Sequence, residues 1–485
     1  MRSSSFAFDR DPEGPHRTMA LSRATTSPNP DSPTEHGLPQ GIAGLDHAPG
    51  DDSIGISRRT ALAGLAAGLP VLAGPALDGL TVPVGRRVTT TGRPISALTG
   101  MLGVCMVTST ASGVWGQHDK ILKVLKGVGA SWIRSEIYAG NRGQITWLNQ
   151  LAASGIRTNM IMQDPAMKNA TPEQLVALIA SSMPNACHSM EGANEWNLQG
   201  GANWVSELRT HQRRLWNAAK ANPVTRSRPV VGPSLGMRKG FTEFGNQSAY
   251  MDWGNIHLYT GGYVPGYRTD SLISDERKVC GAKPIILTET GWHNAKNYKG
   301  THNYTPEDVA GTYAPRLMLE YFIRNTPKLS LFELIDEPSD PGMSDHEAHF
   351  GLVRNNWAPK PVFAALANMS QIMNRRYRTT RDAGARAGTL SFTIKSGPSD
   401  LRSALVFRPD GRYQLFLWRG VAIYDPDKRI YLNPKAAPVT IEWHASRSVR
   451  RFAPASSAGA LETKVTSVST LSLAGELQIL EIAAA

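Results

Sequence analysis

Short apolar runs that recur at regular spacing between residues 101 and 337 constrain the fold of this chain more than any other feature. The runs do not alternate polar with apolar residues, so they predict strands that are buried on both faces. Amphipathic stretches separate them and predict covering helices; Thr171, Pro172 and Glu173, for example, are typical of a helix start. The eight predicted strands cover residues 101–107, 131–134, 156–162, 189–193, 229–232, 253–258, 284–288 and 329–335.

Eight strand–helix units of about 30 residues each match the ~250 residues that a (β/α)8 barrel typically needs. The chain is therefore predicted to be an α/β protein with a (β/α)8 TIM barrel at residues 95–378. A doubly wound open sheet is the alternative. It would carry a glycine-rich phosphate-binding turn after the first strand, and the sequence Gly103-Val104-Cys105-Met106 lacks that pattern.

The composition changes after the barrel. Residues 379–485 are rich in Val, Thr, Ser and Leu and contain short alternating runs at 413–418, 439–443 and 477–482. Turn signals such as Pro409-Asp410-Gly411 separate the runs. This pattern predicts a C-terminal antiparallel β-domain, which we expect to be a β-sandwich.

The N-terminal region predicts export. Residues 1–56 are rich in Ser, Pro, Gly and charged residues and are expected to form a disordered extension. Arg58 and Arg59 precede a short run of Ala, Gly and Leu, so residues 57–78 resemble a twin-arginine export signal, with cleavage near residues 73–76. Because the run is too short to span a bilayer permanently, we expect a periplasmic or extracellular protein without stable membrane insertion.

The distribution of charged residues and cysteines argues against nucleic-acid, zinc and redox sites. Lys and Arg number 52 against 40 Asp and Glu, but they are scattered, which favours a generally basic surface over a nucleic-acid site. Cys105, Cys187 and Cys280 are far apart and form no CxxC pair, which argues against zinc-finger and thioredoxin-like sites. We expect free, buried thiols, a monomer, no metal and no cofactor.

Carboxylates follow two of the apolar strands. The fourth strand leads to Asn194 and Glu195, and the seventh leads to Glu289. In a (β/α)8 barrel the active site lies at the carboxyl ends of the strands, so the two carboxylates should face each other across the mouth. One protonated and one ionised carboxyl group are what glycoside hydrolysis requires. Other polar side chains at strand ends are Arg134, Asp164, His257, Tyr259 and Glu333.

These motifs together resemble the clan A retaining glycoside hydrolases. The segments EGANEWN and PIILTETGW, with Arg134, the His257-x-Tyr259 pair and the C-terminal β-domain, are most similar to family 39 and related cellulase-like families. The resemblance covers roughly residues 100–375. It implies a retaining hydrolase whose substrate is an oligosaccharide or polysaccharide, part of an extracellular or cell-surface glycan.

The resemblance also implies a role for each matching residue. Glu195 would be the general acid/base, and Glu289 the nucleophile that forms a covalent glycosyl-enzyme. It implies that Asn194 hydrogen-bonds to the sugar 2-hydroxyl and that Arg134 and Tyr259 keep the nucleophile ionised. It also implies that His257 lines the subsite and that Trp292 and Trp196 stack on sugar faces.

The eighth strand departs from this pattern. Many clan A enzymes place a Trp there under the reactive sugar, whereas residues 331–337 read LFELIDE. We therefore expect Glu333 or Glu337 to bind substrate hydroxyls, with Asp164 as a further candidate, and the sugar identity stays open. Glu191 is assigned a structural role. Two alternative functions use the same residues: a catalytically silent carbohydrate-binding protein, and a transglycosylase that accepts a sugar in place of water.

Overall fold

The computed structural model describes residues 84–166, 169–300, 302–337, 340–374 and 388–483. The predicted extension at residues 1–56 and the predicted export signal at 57–78 lie outside the described residues, as do residues 379–387 at the start of the predicted β-domain. Among the helices that the structure describes, none combines the length and the hydropathy that crossing a bilayer requires. The three cysteines are buried, unpaired thiols, as predicted.

The predicted barrel is confirmed. Two short strands, β1 (Arg87–Thr90) and β2 (Arg93–Pro94), precede it. Within the described ranges, eight parallel strands follow, one at each predicted position. They are β3 (Leu102–Cys105), β4 (Trp132–Glu136), β5 (Arg157–Ile161), β6 (Cys187–Glu191), β7 (Val230–Val231), β8 (Gly254–His257), β9 (Ile285–Thr290) and β10 (Leu329–Leu331).

The barrel strands pair in the order β7-β6-β5-β4-β3-β10-β9-β8, so neighbours in sequence are mostly neighbours in space. A parallel bridge between Val231 and Trp253 joins the two ends of this order, and Gly232 N donates to Trp253 O at 2.8 Å. The sheet is thereby nearly closed. Its strands are apolar on both faces because one face lines the barrel interior and the other packs against helices.

Helices cover the barrel, and the predicted start of one of them is confirmed in detail. Thr171 Oγ1 accepts from Gln174 N at 3.3 Å and Gln174 Oε1 accepts from Thr171 N at 2.8 Å, which is a capping box. The described helices are α1 (Ile95–Thr99), α2 (His118–Val128), α3 (Arg142–Ala153), α4 (Pro172–Ser182), α5 (Trp204–Ala221), α6 (Arg238–Phe244), α7 (Thr269–Cys280), α8 (Glu307–Phe322) and α9 (Pro361–Met373).

The predicted C-terminal β-domain is also confirmed, and its main strands belong to one curled sheet with the order β1-β11-β16-β18-β13-β12-β2, in which β17 pairs with β16. The two strands that precede the barrel therefore belong to this sheet, outside the predicted range 379–485. Its remaining strands, with the separate β14–β15 pair, are β11 (Leu390–Ser396), β12 (Leu401–Phe407), β13 (Tyr413–Arg419), β14 (Tyr424–Asp425), β15 (Ile430–Tyr431), β16 (Ala437–Ala453), β17 (Ser457–Leu473) and β18 (Gln478–Ile482).

Helix α8 joins the barrel to the β-domain. Arg316 is fully buried, and its guanidinium donates to the carbonyl oxygens of Gly475 (2.9 Å), Arg419 (2.9 Å) and Val421 (2.8 Å). One turn later, Glu320 accepts from the indole of Trp418 at 2.7 Å. Because buried backbone carbonyls need donors, the guanidinium ties two segments of the β-domain to one helix.

Candidate active site

Glu195 and Glu289, the predicted catalytic pair, lie together at the carboxyl end of the barrel. One side-chain donor or acceptor atom of each, with one of His257, all lie within 4.8 Å of one another. Glu195 follows β6 and Glu289 lies in β9, so the two carboxyl groups are supplied by strands that are not adjacent in the sheet. The 4.8 Å limit applies to the nearest carboxyl oxygens, and it is compatible with the ~5–5.5 Å between carboxyl groups that the retaining mechanism predicts.

Glu289 is held between a cation and a phenol. Its Oε1 contacts Nη1 of Arg134, and its Oε2 accepts from the hydroxyl of Tyr259 at 2.7 Å. Burial raises the pKa of Tyr259 well above its usual value and the charge of Glu289 adds to the effect, so Tyr259 stays a proton donor. Arg134 and Tyr259 are the two neighbours that the family resemblance implies for a nucleophile.

Glu195 occupies a strained turn. Its φ of 46° lies in the left-handed region that non-glycine residues rarely adopt. Its backbone N donates to Ser234 Oγ at 3.1 Å. Gly236 packs so closely that a Cβ there would lie 3.3 Å from Glu195 Cδ. Such backbone strain persists only where the surroundings hold it, and it aims the carboxyl group at Glu289.

His257 contacts both carboxyl groups. Its Nδ1 lies 2.8 Å from Glu195 Oε1 and 3.5 Å from Glu289 Oε2. Burial lowers the pKa of His257, but the charge of Glu289 and the hydrogen bond and charge of Glu195 outweigh burial and raise the pKa above its ordinary value. Conversely, burial raises the pKa of Glu195, but the hydrogen bond and charge of His257 hold it below its ordinary value.

The hydrogen bond of the other ring nitrogen of His257, Nε2, shows which nitrogen carries a hydrogen. Nε2 lies 2.9 Å from Thr288 Oγ1, and that hydroxyl donates to Asn255 Oδ1 at 2.7 Å. A hydroxyl has one proton to donate, and Thr288 donates it to Asn255. Thr288 Oγ1 must therefore accept from His257, so Nε2 of His257 carries a hydrogen. Nδ1 and the Glu195 carboxyl group therefore share one titratable proton.

Glu191 is the centre of a polar network beneath the pair. It is fully buried, and it accepts from Arg134 Nη2 at 2.7 Å, from Asn255 at 3.1 Å and from Asn159, while Thr288 Oγ1 lies 3.2 Å from its Oε1. Glu191 thus has the structural role that the sequence analysis assigned to it, since it holds the guanidinium that contacts Glu289. The available signal was the polar residues Asn159 and Asn255 within otherwise apolar strands.

Asn194 lies beside the pair and completes this frame. Its Oδ1 accepts from Arg134 Nη2 at 2.7 Å and from Ser234 Oγ at 3.3 Å. These bonds orient the amide so that Oδ1 faces the protein. Among the described residues its Nδ2 has no hydrogen-bond partner, which leaves a donor for a substrate hydroxyl.

The structure corrects the expectation for the two predicted stacking indoles. Trp196 is 8% exposed and donates to Glu207 at 3.0 Å, while Trp292 is 6% exposed and donates to Thr260 at 3.1 Å. A sugar ring needs an exposed aromatic face, and neither indole offers one. Both are instead buried residues that support the loops on which Glu195 and Glu289 lie.

Glu333 lies at the end of β10 and is 4% exposed. Its carboxyl group has no hydrogen-bond partner among the described residues. Burial, followed by the charges of neighbouring carboxylates that include Glu289, raises its pKa well above the usual value. A neutral carboxyl group can both donate to and accept from a hydroxyl, so Glu333 retains the properties predicted for a substrate-binding group.

Asp164 occupies a different part of the mouth. It is half-exposed, and its Oδ1 accepts from Ala166 N at 2.8 Å in the loop after β5. Burial raises the pKa of Glu136, and the charge of Asp164 adds to this rise. Asp164 therefore affects the pKa of Glu136 at the end of β4. Its contact with substrate stays a prediction.

His302 is a neighbour of the pair that the sequence analysis did not assign. Its ring centroid lies 5.8 Å from that of Tyr259, and its charge contributes to the lowered pKa of Glu195. It lies in the loop after β9, 13 residues beyond Glu289. A loop position of this kind carries no periodic signal, so only the folded chain reveals it.

The spacing of Glu195, His257 and Glu289 would also suit three ligands of a metal ion. The guanidinium of Arg134 contacts Glu289 directly, however. A cation placed among these ligands would lie against a second positive charge that cannot be deprotonated. The donor set therefore fits proton transfer better than metal binding.

Comparison of the sequence with protein-family models and with curated proteins finds no match. The structure, however, matches solved glycosidases. They include a family 39 glycoside hydrolase from Bacteroides cellulosilyticus WH2 (TM-score 0.55, 13% identity, 81% of each chain covered). A glucosidase from Croceicoccus marinus matches with a TM-score of 0.54 at 13% identity over 83% of this chain and all of that one. A family 39 enzyme from Xanthomonas axonopodis pv. citri has a TM-score of 0.51 at 14% identity over 81% and 96%. The chain thus has a glycoside hydrolase fold similar to that of family 39 enzymes.

Proposed function

We propose that this protein is a retaining glycoside hydrolase that cleaves O-glycosidic bonds by double displacement. One observation carries the proposal: carboxyl oxygens of Glu195 and Glu289 lie within 4.8 Å of each other, and the two groups have different partners. Glu289 accepts from Arg134 and Tyr259, whereas Glu195 shares a proton with His257. A nucleophile and a proton donor at this separation are what the retaining mechanism needs.

In the first step, a carboxylate oxygen of Glu289 attacks the anomeric carbon and the bond to the leaving oxygen breaks. The leaving oxygen takes a proton from Glu195, which is replenished through Nδ1 of His257. The amide of Asn194 donates to a hydroxyl of the reacting sugar. Arg134 loses part of its ionic partner as Glu289 becomes an ester, and Glu191 keeps the guanidinium in place.

In the second step, water attacks the same carbon while the Glu195–His257 pair accepts a proton from it. The ester bond to Glu289 breaks, and the carboxylate returns to Arg134 and Tyr259. The sugar leaves with its original anomeric configuration because two inversions have occurred.

The substrate is proposed to be an extracellular or cell-surface glycan. The support is the pair Arg58-Arg59 and the short apolar run that follows it, which resemble a twin-arginine export signal. A signal-peptide cleavage assay in which Arg58 and Arg59 are both replaced by Lys tests this part. Unchanged export of the double variant would contradict it.

A glycan panel with analysis of product anomers tests the reaction. The wild-type protein should release products of retained configuration, and Glu289→Gln should lose at least a thousandfold in kcat because the nucleophile is gone. The Glu289→Gln variant should keep the thermal stability of a folded barrel. Full activity in this variant, or inverted products, would refute the mechanism.

The two alternative functions are separate outcomes of the same panel. Binding of glycans without any product would identify a catalytically silent carbohydrate-binding protein. Products longer than the starting oligosaccharide would identify a transglycosylase.

A further inference from the structure

The β14–β15 hairpin of the β-domain, residues 424–431, reaches the mouth of the barrel. Two loops meet it there: the β8 loop, residues 258–268, which begins next to His257 and carries Tyr259, and the β9 loop, residues 291–306, which carries His302. Asp427 accepts from the hydroxyl of Tyr263 in the β8 loop at 2.6 Å. The β-domain therefore contacts both loops that supply neighbours of the carboxyl pair.

Gly262 is the point at which the three segments meet. Its φ of +83° is a conformation that side chains disfavour. A Cβ there would lie 3.0 Å from Thr305 Oγ1 and 3.3 Å from Tyr424 Cδ1. The β8 loop, the β9 loop and the hairpin are thus packed at this point without room for an extra methyl group.

Arg429 makes the main polar contacts between the hairpin and the β9 loop. Its Nη1 donates to Lys296 O at 3.0 Å, its Nη2 donates to Tyr298 O at 3.4 Å, and its guanidinium lies 5.9 Å from the ring centre of Tyr304. These contacts lie on both sides of His302 in the sequence. The planar guanidinium suits this task because its fixed fork reaches two carbonyls at once.

His302 is the residue that this arrangement holds. His293 lies 2.9 Å through Nε2 from the carbonyl of His302, which anchors its backbone from the barrel side. Its ring lies beside Tyr259, the phenol that donates to Glu289. A shift of the β9 loop would therefore move a side chain that borders the substrate site.

We propose that Arg429 of the β-domain is a positioning residue, which places His302 at the substrate site through the backbone of the β9 loop. This inference rests on the proposed hydrolase function. It gives the β-domain a part in substrate binding in addition to its contacts with α8. Related chains that lack an arginine at this point of the hairpin would be expected to build this side of the mouth differently.

A double-mutant cycle tests the inference with the best substrate from the glycan panel. Arg429→Ala should lower kcat/KM by about ten- to a hundredfold, mainly through KM, while the melting temperature changes little. His302→Ala should do the same, and the double variant should be no worse than either single variant. Arg429→Lys should recover part of the loss. The control is Lys428→Ala, an exposed neighbour on the same turn.

Hydrogen exchange supplies a second readout that does not depend on turnover. Arg429→Ala should raise exchange in peptides that cover residues 293–305, and Lys428→Ala should not. Independent, multiplicative losses in the cycle, or unchanged exchange in Arg429→Ala, would overturn the inference. If Arg429→Ala does not fold, Arg429→Gln, which keeps the bulk of the side chain but removes the guanidinium fork, replaces it in the same cycle. If the wild-type chain cleaves no glycan, the proposed function fails, while the exchange experiment still decides whether Arg429 orders the loop.

Discussion

At the scale of single residues, the main feature of the candidate site is the proton that Glu195 and His257 share. Glu195 is expected to be an acid, yet its pKa lies below the ordinary value because His257 donates to it and is positively charged. A low pKa for Glu195 alone would not suit a proton donor. Glu195 and His257 interact closely, however, and titrate as one pair whose apparent pKa values belong to both groups. In the proposed mechanism, the proton donor is therefore the Glu195–His257 pair.

Replacement of His257 by Gln should therefore move the basic limb of the pH profile of kcat/KM to lower pH. In the wild-type protein the pair loses its last proton at the pKa of His257, which Glu289 and Glu195 raise above the ordinary value. In the variant the proton belongs to Glu195 alone, a weaker base. Profiles measured for both proteins on the same substrate check this, and a basic limb at unchanged pH would contradict the pairing.

At the scale of elements, buried polar side chains fasten helices to barrel strands. Glu276 of α7 is 1% exposed, and its Oε1 accepts from the backbone N of Asn255 in β8 at 3.1 Å. Its Oε2 has no hydrogen-bond partner in the described parts of the chain. Burial raises the pKa of Glu276 to about 8, so the folded protein keeps this carboxyl group protonated at neutral pH.

This pKa predicts how stability depends on pH. A carboxyl group with a raised pKa favours the folded state fully below its unfolded value of about 4.5, and this contribution is lost as pH rises through about 8. Glu276→Gln removes the titration, so the melting temperature of the variant relative to wild type should increase steadily between about pH 5 and pH 8. Glu243→Gln, an exposed acid on α6, is the control. A difference that does not change with pH would contradict the assignment.

At the scale of the whole molecule, the barrel and the β-domain are joined through polar contacts at α8. The guanidinium of Arg316 satisfies three carbonyls of the β-domain. Burial lowers its pKa to about 10, which leaves it charged at neutral pH. Since β1 and β2 precede the barrel and join the β-domain sheet, the chain also enters and leaves the barrel through the same domain.

Arg316→Met should lower the free energy of unfolding by about 3 kcal/mol, because several buried carbonyls lose their donors together. Arg316→Lys should be intermediate, since two separate guanidinium nitrogens, Nη1 and Nη2, make these three bonds. Urea unfolding measures both variants. Arg213→Met, an exposed arginine on α5, is the control and should stay within about 0.5 kcal/mol of wild type. An equally small effect of Arg316→Met would show that this contact does not join the two parts.

The sequence by itself determined the barrel, because a strand that is buried on both faces must be apolar along its length, and eight such runs are visible without any structure. It also determined which side chains stand at the strand ends. For that reason Glu195, Glu289, Arg134, His257 and Tyr259 could be predicted to meet. A local pattern is enough to predict these neighbours because the carboxyl ends of all barrel strands meet at the same end of the barrel.

Only the tertiary structure decided how those side chains are paired. Glu191 and Arg134 are 57 residues apart, and Arg134 and Glu289 are 155 apart. No periodicity links such partners, so the sequence does not show that Glu191 binds Arg134. The burial of Trp196 and Trp292, the entry of β1 and β2 into the β-domain sheet, and the place of His302 were likewise invisible. Each depends on contacts between segments distant in sequence, which form only when the barrel closes and the β-domain packs against it.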